Sequence, residues 1–238
     1  SFAVKSSPVA VLNDIDLQIK LGEFVIITGS SGSGKSTLLH ILLGLELPSS
    51  GSVSFLGQDI YGSLTEDQRT DLRKKNIGMV YQQPNWIKAM TVIENVMFAT
   101  RINGELFDTA KQKSLAALNT VGMADWQDYY PTELSSGQQQ KVALARAMVT
   151  NPSIIIADEP TGNLDFKSGR ELMELLQKLN SEKKTIIMVT HDLEYLKYAT
   201  RSLMMFDGKI VGELHKDDLN DKFGGLKKFT ASIIEQDK

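Results

Sequence analysis

The chain has 238 residues, 42% hydrophobic and 23% charged, which suits a packed globular core and excludes disordered, collagen-like and coiled-coil classes. Lys and Arg number 26 against 29 Asp and Glu, so the formal net charge of -3 lacks the strong basicity of a nucleic-acid binder. Cysteine is absent and only three histidines occur, which removes disulfides, thiolate catalysis and cysteine zinc sites and speaks against a His-rich metal centre.

In chain order, residues 9–20 with 53–56 read as short antiparallel strands. Apolar blocks at 23–28, 76–81, 153–157 and 185–190 read as buried parallel strands, being continuous rather than alternating and flanked by turn residues. Each falls far short of the roughly 18 apolar residues of a membrane span. The first residues lack the basic-then-apolar order of a signal peptide, so a soluble chain is expected. Residues 84–149 carry little strand signal and several helices: 91–102, opened by Thr91 with Glu94 at capping-box spacing, then 108–121 and 138–149. In 167–180, Leu172, Leu175, Leu176 and Leu179 form an apolar stripe that leaves Glu171, Glu174 and Lys178 to solvent. Residues 203–206 and 209–213 flank Asp207-Gly208, a two-residue hairpin signal. The polar tail from His215 says little. This alternation predicts an α/β protein with a mostly parallel core sheet, an N-terminal antiparallel β subdomain and an inserted α-helical subdomain. One domain spans 1–238: a core of about 1–83 and 150–214, a helical part of about 84–149, and a tail of about 215–238.

The chemistry concentrates at Gly29-Ser30-Ser31-Gly32-Ser33-Gly34-Lys35-Ser36-Thr37, which follows an apolar block and opens a helix at 36–43. It fits the phosphate-binding loop in residues and in context. Glycines let successive N–H groups face one anion, and the helix N-terminus adds a positive dipole end. Lys35 brings a full charge to the outer phosphates, and the Ser36 hydroxyl is suited to Mg²⁺. A magnesium-bound triphosphate needs an acidic partner where another strand exits, and Asp158-Glu159 supplies it after Ile154-Ile155-Ile156-Ala157. Asp158 is expected to hold the metal and Glu159 to polarise the attacking water. Ser135 and Gln138 bracket Ser136-Gly137 at capping-box spacing, reading either as a plain helix cap or as a second anion site. Gln82, after one strand, is placed for magnesium or the reacting water, and His191, after another, for the terminal phosphate. Alone, either would be an ordinary surface residue.

Together these motifs resemble the nucleotide-binding subunit of an ABC transporter, in that family's order and over nearly the whole chain. The resemblance makes 29–37 a Walker A loop, 154–159 a Walker B strand with its catalytic glutamate, Gln82 the Q-loop residue, and 134–138 the signature. It likewise makes Asp165 the D-loop residue and His191 the switch histidine, and puts Phe2 where an aromatic stacks on adenine. The run Glu159-Pro160-Thr161-Gly162-Asn163-Leu164-Asp165 is similar to the lipoprotein-release and macrolide-export branch, the MacB/LolD type, which also includes FtsE. Two departures stand out: Ser136 occupies a usual glycine position in the signature, and Lys141 replaces an arginine, keeping charge but losing the guanidinium fork.

The resemblance implies ATP and Mg²⁺ as ligands, and a head-to-tail pair, expected to be a homodimer, in which the signature of one subunit closes the ATP site of the other. It implies a separate membrane-spanning permease, a location on the cytoplasmic face of the membrane, and no nucleic-acid partner. Pro84-Asn85-Trp86-Ile87 is the expected docking segment, unless Trp86 and Ile87 simply pack within the helical insertion. The alternative function is an FtsE-like mechanical ATPase that acts on a membrane partner without moving a substrate. Soluble ABC ATPases of DNA repair or translation fit less well, for want of a second cassette, a heptad run or a basic patch.

Overall fold

A computed structural model describes residues 2–4 and 7–220, and divides into two compact units: residues 1–73 with 189–238, and residues 74–188.

In the first unit, β1 (Phe2–Val4) and β2 (Ser7–Val9) pair antiparallel. The strand expected at 9–20 does not form beyond Val9, although its pattern is real: Ile15, Leu17 and Ile19 are half-buried while Asp16, Gln18 and Lys20 are exposed. The segment bends at residues 11, 12 and 14 and joins no ladder, so a period of two reports burial, not pairing. Residues 53–56 pair elsewhere too. β4 (Ser54–Phe55) closes a hairpin with β5 (Gln58–Asp59) through Leu56-Gly57, whose φ angles of 50° and 82° suit a primed turn.

The core of this unit is β3 (Phe24–Gly29), whose Phe24, Val25, Ile26 and Ile27 are wholly inaccessible to solvent. β9 (Arg201–Phe206) runs parallel to it, Val25 opposite Arg201 and Gly29 opposite Met205. β10 (Lys209–His215) returns antiparallel across Asp207-Gly208, with φ angles of 45° and 72°. α1 (Lys35–Leu42) follows β3 and buries Leu38 and Leu39. α2 (Glu66–Asn76), which begins in this unit, buries no residue, so it has no apolar stripe by which a sequence pattern would announce it. Charge holds it instead: Glu66 pairs with Arg69 at 2.6 Å and Arg73 at 3.2 Å, and Arg73 Nη1 donates to the Gly44 carbonyl just past α1.

In the second unit, β6 (Ile77–Tyr81) and β7 (Ile154–Asp158) run parallel with Ile77 opposite Ile154 and Tyr81 opposite Asp158; β8 (Thr185–Val189) lies beside β7. α3 (Val92–Arg101), α4 (Phe107–Thr120) and α5 (Ser136–Met148) pack on one another. α3 starts with the expected capping box: Thr91 Oγ1 accepts from the Glu94 amide while Glu94 Oε2 accepts from the Thr91 amide. Truncating such a cap typically costs about 1 kcal/mol. α5 lies so close to β6 that a Cβ on Gly78 would sit 2.1 Å from the Ala147 carbonyl oxygen, so glycine is required there. α6 (Phe166–Ser181) packs on α5 and buries Leu172, Met173, Leu176 and Leu179. The stripe is as expected except that Met173 is buried and Leu175 only partly. Two turns of 3-10 helix, Ala124–Trp126 and Pro131–Glu133, link α4 to α5, and a third, Leu193–Tyr198, lies in the first unit, as does α7 (Lys216–Asn220).

Candidate functional site

The candidate residues fall into two groups, one in each unit. In the first unit the loop from Gly29 to Gly34 turns the chain from β3 into α1. Gly34 has φ 97°, a left-handed value that any side chain would strain, and a Cβ there would lie 2.8 Å from Leu12 Cδ2. As the residue preceding α1 it supplies no side-chain cap, and the first turn holds no acidic residue. Lys35 is buried, and its ammonium donates at 2.8 Å to both the Gly29 and the Ser30 carbonyl oxygens. The loop thus curls around a fixed positive charge at an uncapped helix N-terminus. Ser33 Oγ is buried with no hydrogen-bond partner among the described residues, as expected where a polar ligand completes the loop. Ser30, Ser31, Gly32 and Ser36 are exposed and Thr37 half-buried.

Two supports of this loop were not anticipated. The Gly208 amide donates to the Ser33 carbonyl at 3.1 Å, and the Asn13 amide donates to the Gly208 carbonyl at 2.8 Å. The Asp207-Gly208 hairpin turn therefore braces the loop from behind. Its Asp-Gly signal had spoken only of a turn. His191 belongs to the same unit: the Thr190 amide donates to the Ile27 carbonyl at 3.1 Å, so an exposed His191 leaves beside the strand that feeds the loop. Phe2 lies on β1, but its side chain is outside the described residues.

In the second unit, the register that sets Tyr81 opposite Asp158 brings Gln82 out of β6 where Asp158 and Glu159 leave β7. Glu159 has φ 46°, a left-handed conformation in a non-glycine residue. Such backbone costs about 1–3 kcal/mol and persists only where neighbours enforce it. The turn that follows closes with the Gly162 amide donating to the Glu159 carbonyl at 3.1 Å. A Cβ on Gly162 would sit 2.6 Å from Gln82 Nε2, so the Gln82 side chain rests on this turn.

Ser135 precedes α5 and closes the expected capping box: its hydroxyl accepts from the Gln138 amide at 3.3 Å, and Gln138 Oε1 accepts from its amide at 2.9 Å. Ser135 and Ser136 are exposed, Gln138 half-buried and Gly137 buried. Gly137 is where α5 meets α6, since a Cβ there would lie 2.5 Å from Ser168 Oγ and 2.8 Å from Ser168 Cβ. That hydroxyl donates to Asp165 Oδ2 at 2.7 Å, and the Ser168 amide donates to Asp165 Oδ1 at 3.0 Å. Asp165 is thus the N-cap of α6, and the Ser168 amide, followed by its hydroxyl, holds the carboxyl below the usual aspartate range. Lys141 reaches α6 as well, 2.6 Å from Glu171 Oε2.

The face of α5 behind the signature fixes the segment after Gln82. Gln140 Nε2 donates to the Tyr81 carbonyl at 3.0 Å and to the Gln82 carbonyl at 2.7 Å. Gln139 Oε1 accepts from Trp86 Nε1 at 2.9 Å. Arg146 donates to the Pro84 carbonyl and lies 4.6 Å from the Trp86 ring centroid. Ile87 is held by buried Asn95, which accepts from its amide at 3.0 Å and donates to its carbonyl at 3.1 Å. Trp86 and Ile87 are both half-buried, and Trp86 lines a cleft of about 410 Å³ with Gln82, Ser136, Gln140, Pro131 and Asn163. Gln140 and Arg146 had gone unnoticed. The available signal was phase: Gln140 falls on the buried stripe of Gly137, Ala143, Leu144 and Ala147.

Among the described residues, no group of three His, Cys, Asp or Glu is arranged to hold a metal, and no helix is long and apolar enough to cross a membrane.

The model of the ABC transporter family matches residues 12–162. An uncharacterized ABC transporter ATP-binding protein of Methanocaldococcus jannaschii is 45% identical, over 86% of this chain and 91% of its own. The macrolide export ATP-binding/permease protein MacB of Chlorobaculum tepidum is 38% identical over 99% of this chain, which spans about a third (36%) of that relative's length. A solved dimeric ATP-binding cassette, in a post-hydrolysis state with ADP and Pi bound, superposes with a TM-score of 0.83 and is 36% identical, covering 90% of this chain and 94% of that one.

Proposed function

The chain belongs to the ABC transporter family, and from that premise we propose that it drives a membrane-spanning partner of the macrolide-export kind by binding and hydrolysing ATP. It is an ATP-binding ABC-type ATPase. The observation that carries the nucleotide chemistry is the loop at α1. A buried ammonium, donors from an uncapped helix start and an unpartnered Ser33 hydroxyl together form an anion site, and triphosphate is the anion that fills it. Lys35 offsets charge on the outer phosphates. Mg²⁺ fits the remaining donors, because it is commonly held by one carboxylate, a hydroxyl and substrate phosphates rather than by an all-protein cage. Ser36, Asp158 and Gln82 are the residues that would hold it, and bound Mg²⁺ offsets negative charge on the phosphates. Glu159 orients and deprotonates the attacking water, and His191 donates to the terminal phosphate. Phe2 stacks on the adenine. The fixed backbone at Glu159 supports this assignment, since a carboxylate that must aim at one water gains from having no freedom to turn.

The signature suits a ligand brought by a second copy. Its hydroxyl is exposed, and the capping box occupies the Ser135 and Gln138 amides within the chain, so an incoming phosphate meets the hydroxyl and the amides of Ser136 and Gly137 at a helix end already half capped. Two chains thus clasp two ATP molecules, each lending Ser135, Ser136, Gly137 and Gln138 to the other's nucleotide, with Asp165 beside them. The permease docks at the cleft beside Trp86, whose ring is held ready by Gln139 and Arg146, and so keeps the subunit at the cytoplasmic face of the membrane.

Glu159→Gln tests the reading. With ATP and Mg²⁺ it should elute as a stable dimer in size exclusion with light scattering, while turnover falls by about 10²–10⁴, the usual share of a general base. Hydrolysis at the parent rate, or a monomer at every concentration tried, defeats it.

A further inference from the structure

Gln140 is 3% exposed, and it is the polar member of an otherwise apolar face of α5. Its two bonds go to consecutive carbonyls, Tyr81 O and Gln82 O, which belong to the two peptides on either side of the Gln82 Cα. Tyr81 is the last residue of β6, so from Gln82 onward no ladder fixes the chain. Holding both flanking peptides sets the backbone rotations of Gln82, and with them the direction in which its side chain leaves. That direction leads to Gly162, in the turn that begins at Glu159. The orientation of the Gln140 amide is forced: reversed, Oε1 would face two carbonyl oxygens. As placed, Oε1 is buried without a partner among the described residues. The orphaned Oε1 lowers what the residue contributes to stability, so its net effect lies in the two bonds that its Nε2 gives to the carbonyls around Gln82.

We propose that Gln140 is a positioning residue for hydrolysis, clamping the peptides around Gln82 so that its side chain is held against the Glu159–Gly162 turn. The inference rests on the role given to Gln82 above. Gln139 and Arg146 fasten the next stretch of the same segment, at Trp86 and Pro84, independently of Gln140. Loss of the Gln140 amide therefore loosens Gln82 while leaving the docking residues in place. The helix that carries the signature thus also sets the geometry of the residue across from Glu159, so that movement of α5 reaches both.

The test compares Gln140→Met, Gln82→Ala and the double variant of the full chain in steady-state ATPase assays over ATP and Mg²⁺, with thermal unfolding in parallel. Gln140→Met leaves two part-buried carbonyls without their donor, so it should unfold at most a few degrees below the parent and stay folded at the assay temperature, bind ATP within about twofold of the parent, and lose about tenfold or more in kcat, the pattern of an interaction lost from the reacting state alone. In the Gln82→Ala background it should add less than about twofold, because the two act through one group. Parent kcat in Gln140→Met beside a crippled Gln82→Ala overturns the inference, as does a double variant whose losses multiply. A fully active Gln82→Ala overturns the role of Gln82 itself, and is distinguished by needing no change at 140. Should the methionine variant fail to fold, Gln140→Glu keeps the shape and turns an acceptor toward both carbonyls; it must then show the same kcat loss, and parent kcat refutes the clamp.

Discussion

At the start of α1 the chain sets Gly34 in a left-handed turn and offers the first helical donors no side-chain cap; at the start of α5 it sets Ser135 and Gln138 in a reciprocal cap that satisfies their two amides. Both are helix N-termini beside glycine and serine, and both bear the positive end of a helix dipole. They differ in what completes them. The first has a buried Lys35 and an unpartnered Ser33 hydroxyl, a loop whose bonds are finished by a ligand. The second has two of its amides satisfied by its own side chains, and the serines it offers a phosphate are exposed. One end thus suffices to hold a nucleotide, whereas the other serves only when a nucleotide is carried to it.

The largest effect that would break this distinction is at Lys35. Lys35→Ala removes the one buried cation of the loop, and charge-assisted hydrogen bonds contribute about 1.5–3 kcal/mol, so nucleotide affinity of the isolated chain should fall about 10- to 100-fold. Equilibrium titration with a fluorescent ATP analogue reads it. Unchanged affinity would mean that α1 is not the primary anion site.

A smaller change sharpens the contrast at the other end. Gly137→Ala gains up to about 1 kcal/mol in helix propensity but forces a methyl group against Ser168, and overpacking of that kind costs about 1–3 kcal/mol. The clash wins. The methyl meets Ser168 Cβ at 2.8 Å, which no rotation relieves, and the hydroxyl can retreat only by breaking its bond to Asp165. The denaturation midpoint should drop and dimer-dependent turnover should fall, while ATP binding by the isolated chain stays at the parent value. Weakened binding in the monomer would show that the two ends are not separable as described.

In the sequence the two ends spoke equally plainly. The loop at 29–37 was legible because glycine spacing, a lysine and a preceding apolar block all follow from one local requirement. The α5 cap was legible for the same reason, and so were the β3, β6, β7 and β8 strands, continuous in apolar residues. What escaped depends on partners distant in the chain. Residues 13–20 alternate like a strand and find no ladder; α2 has no apolar stripe and is tied down through Arg73 to the Gly44 carbonyl 29 residues away; Gly208 and Gln140 act through backbone carbonyls roughly 175 and 58 residues away, which no local pattern encodes. The positive φ at Glu159 was equally hidden, since nothing in a glutamate announces a left-handed backbone.

The smallest expected effect concerns Lys141, whose departure from arginine costs little once its partner is seen. Its ammonium lies 2.6 Å from Glu171 Oε2 across the α5–α6 contact, with side chains 24% and 38% exposed. A pair that wet contributes about 0.2–1 kcal/mol, and one carboxylate oxygen is all the lysine needs to reach, so the bidentate fork of arginine has no second use here. The hydrogen bond from Lys141, then its charge, lowers the Glu171 carboxyl below its usual range. The sign follows from the direction: a group depressed in the folded chain stabilises it above the unfolded glutamate value of about 4.3, and that stabilisation fades as pH falls through the lower folded value. Lys141→Met should therefore reduce the urea midpoint slightly at pH 7, and the gap from the parent should close as the buffer is taken below about pH 4. Salt should narrow it too, at neutral pH, by screening a half-exposed pair. A gap that persists at low pH would assign the effect to packing of the lysine stem against α6, and would leave the two helices joined by Gly137 and Ser168 without help from charge.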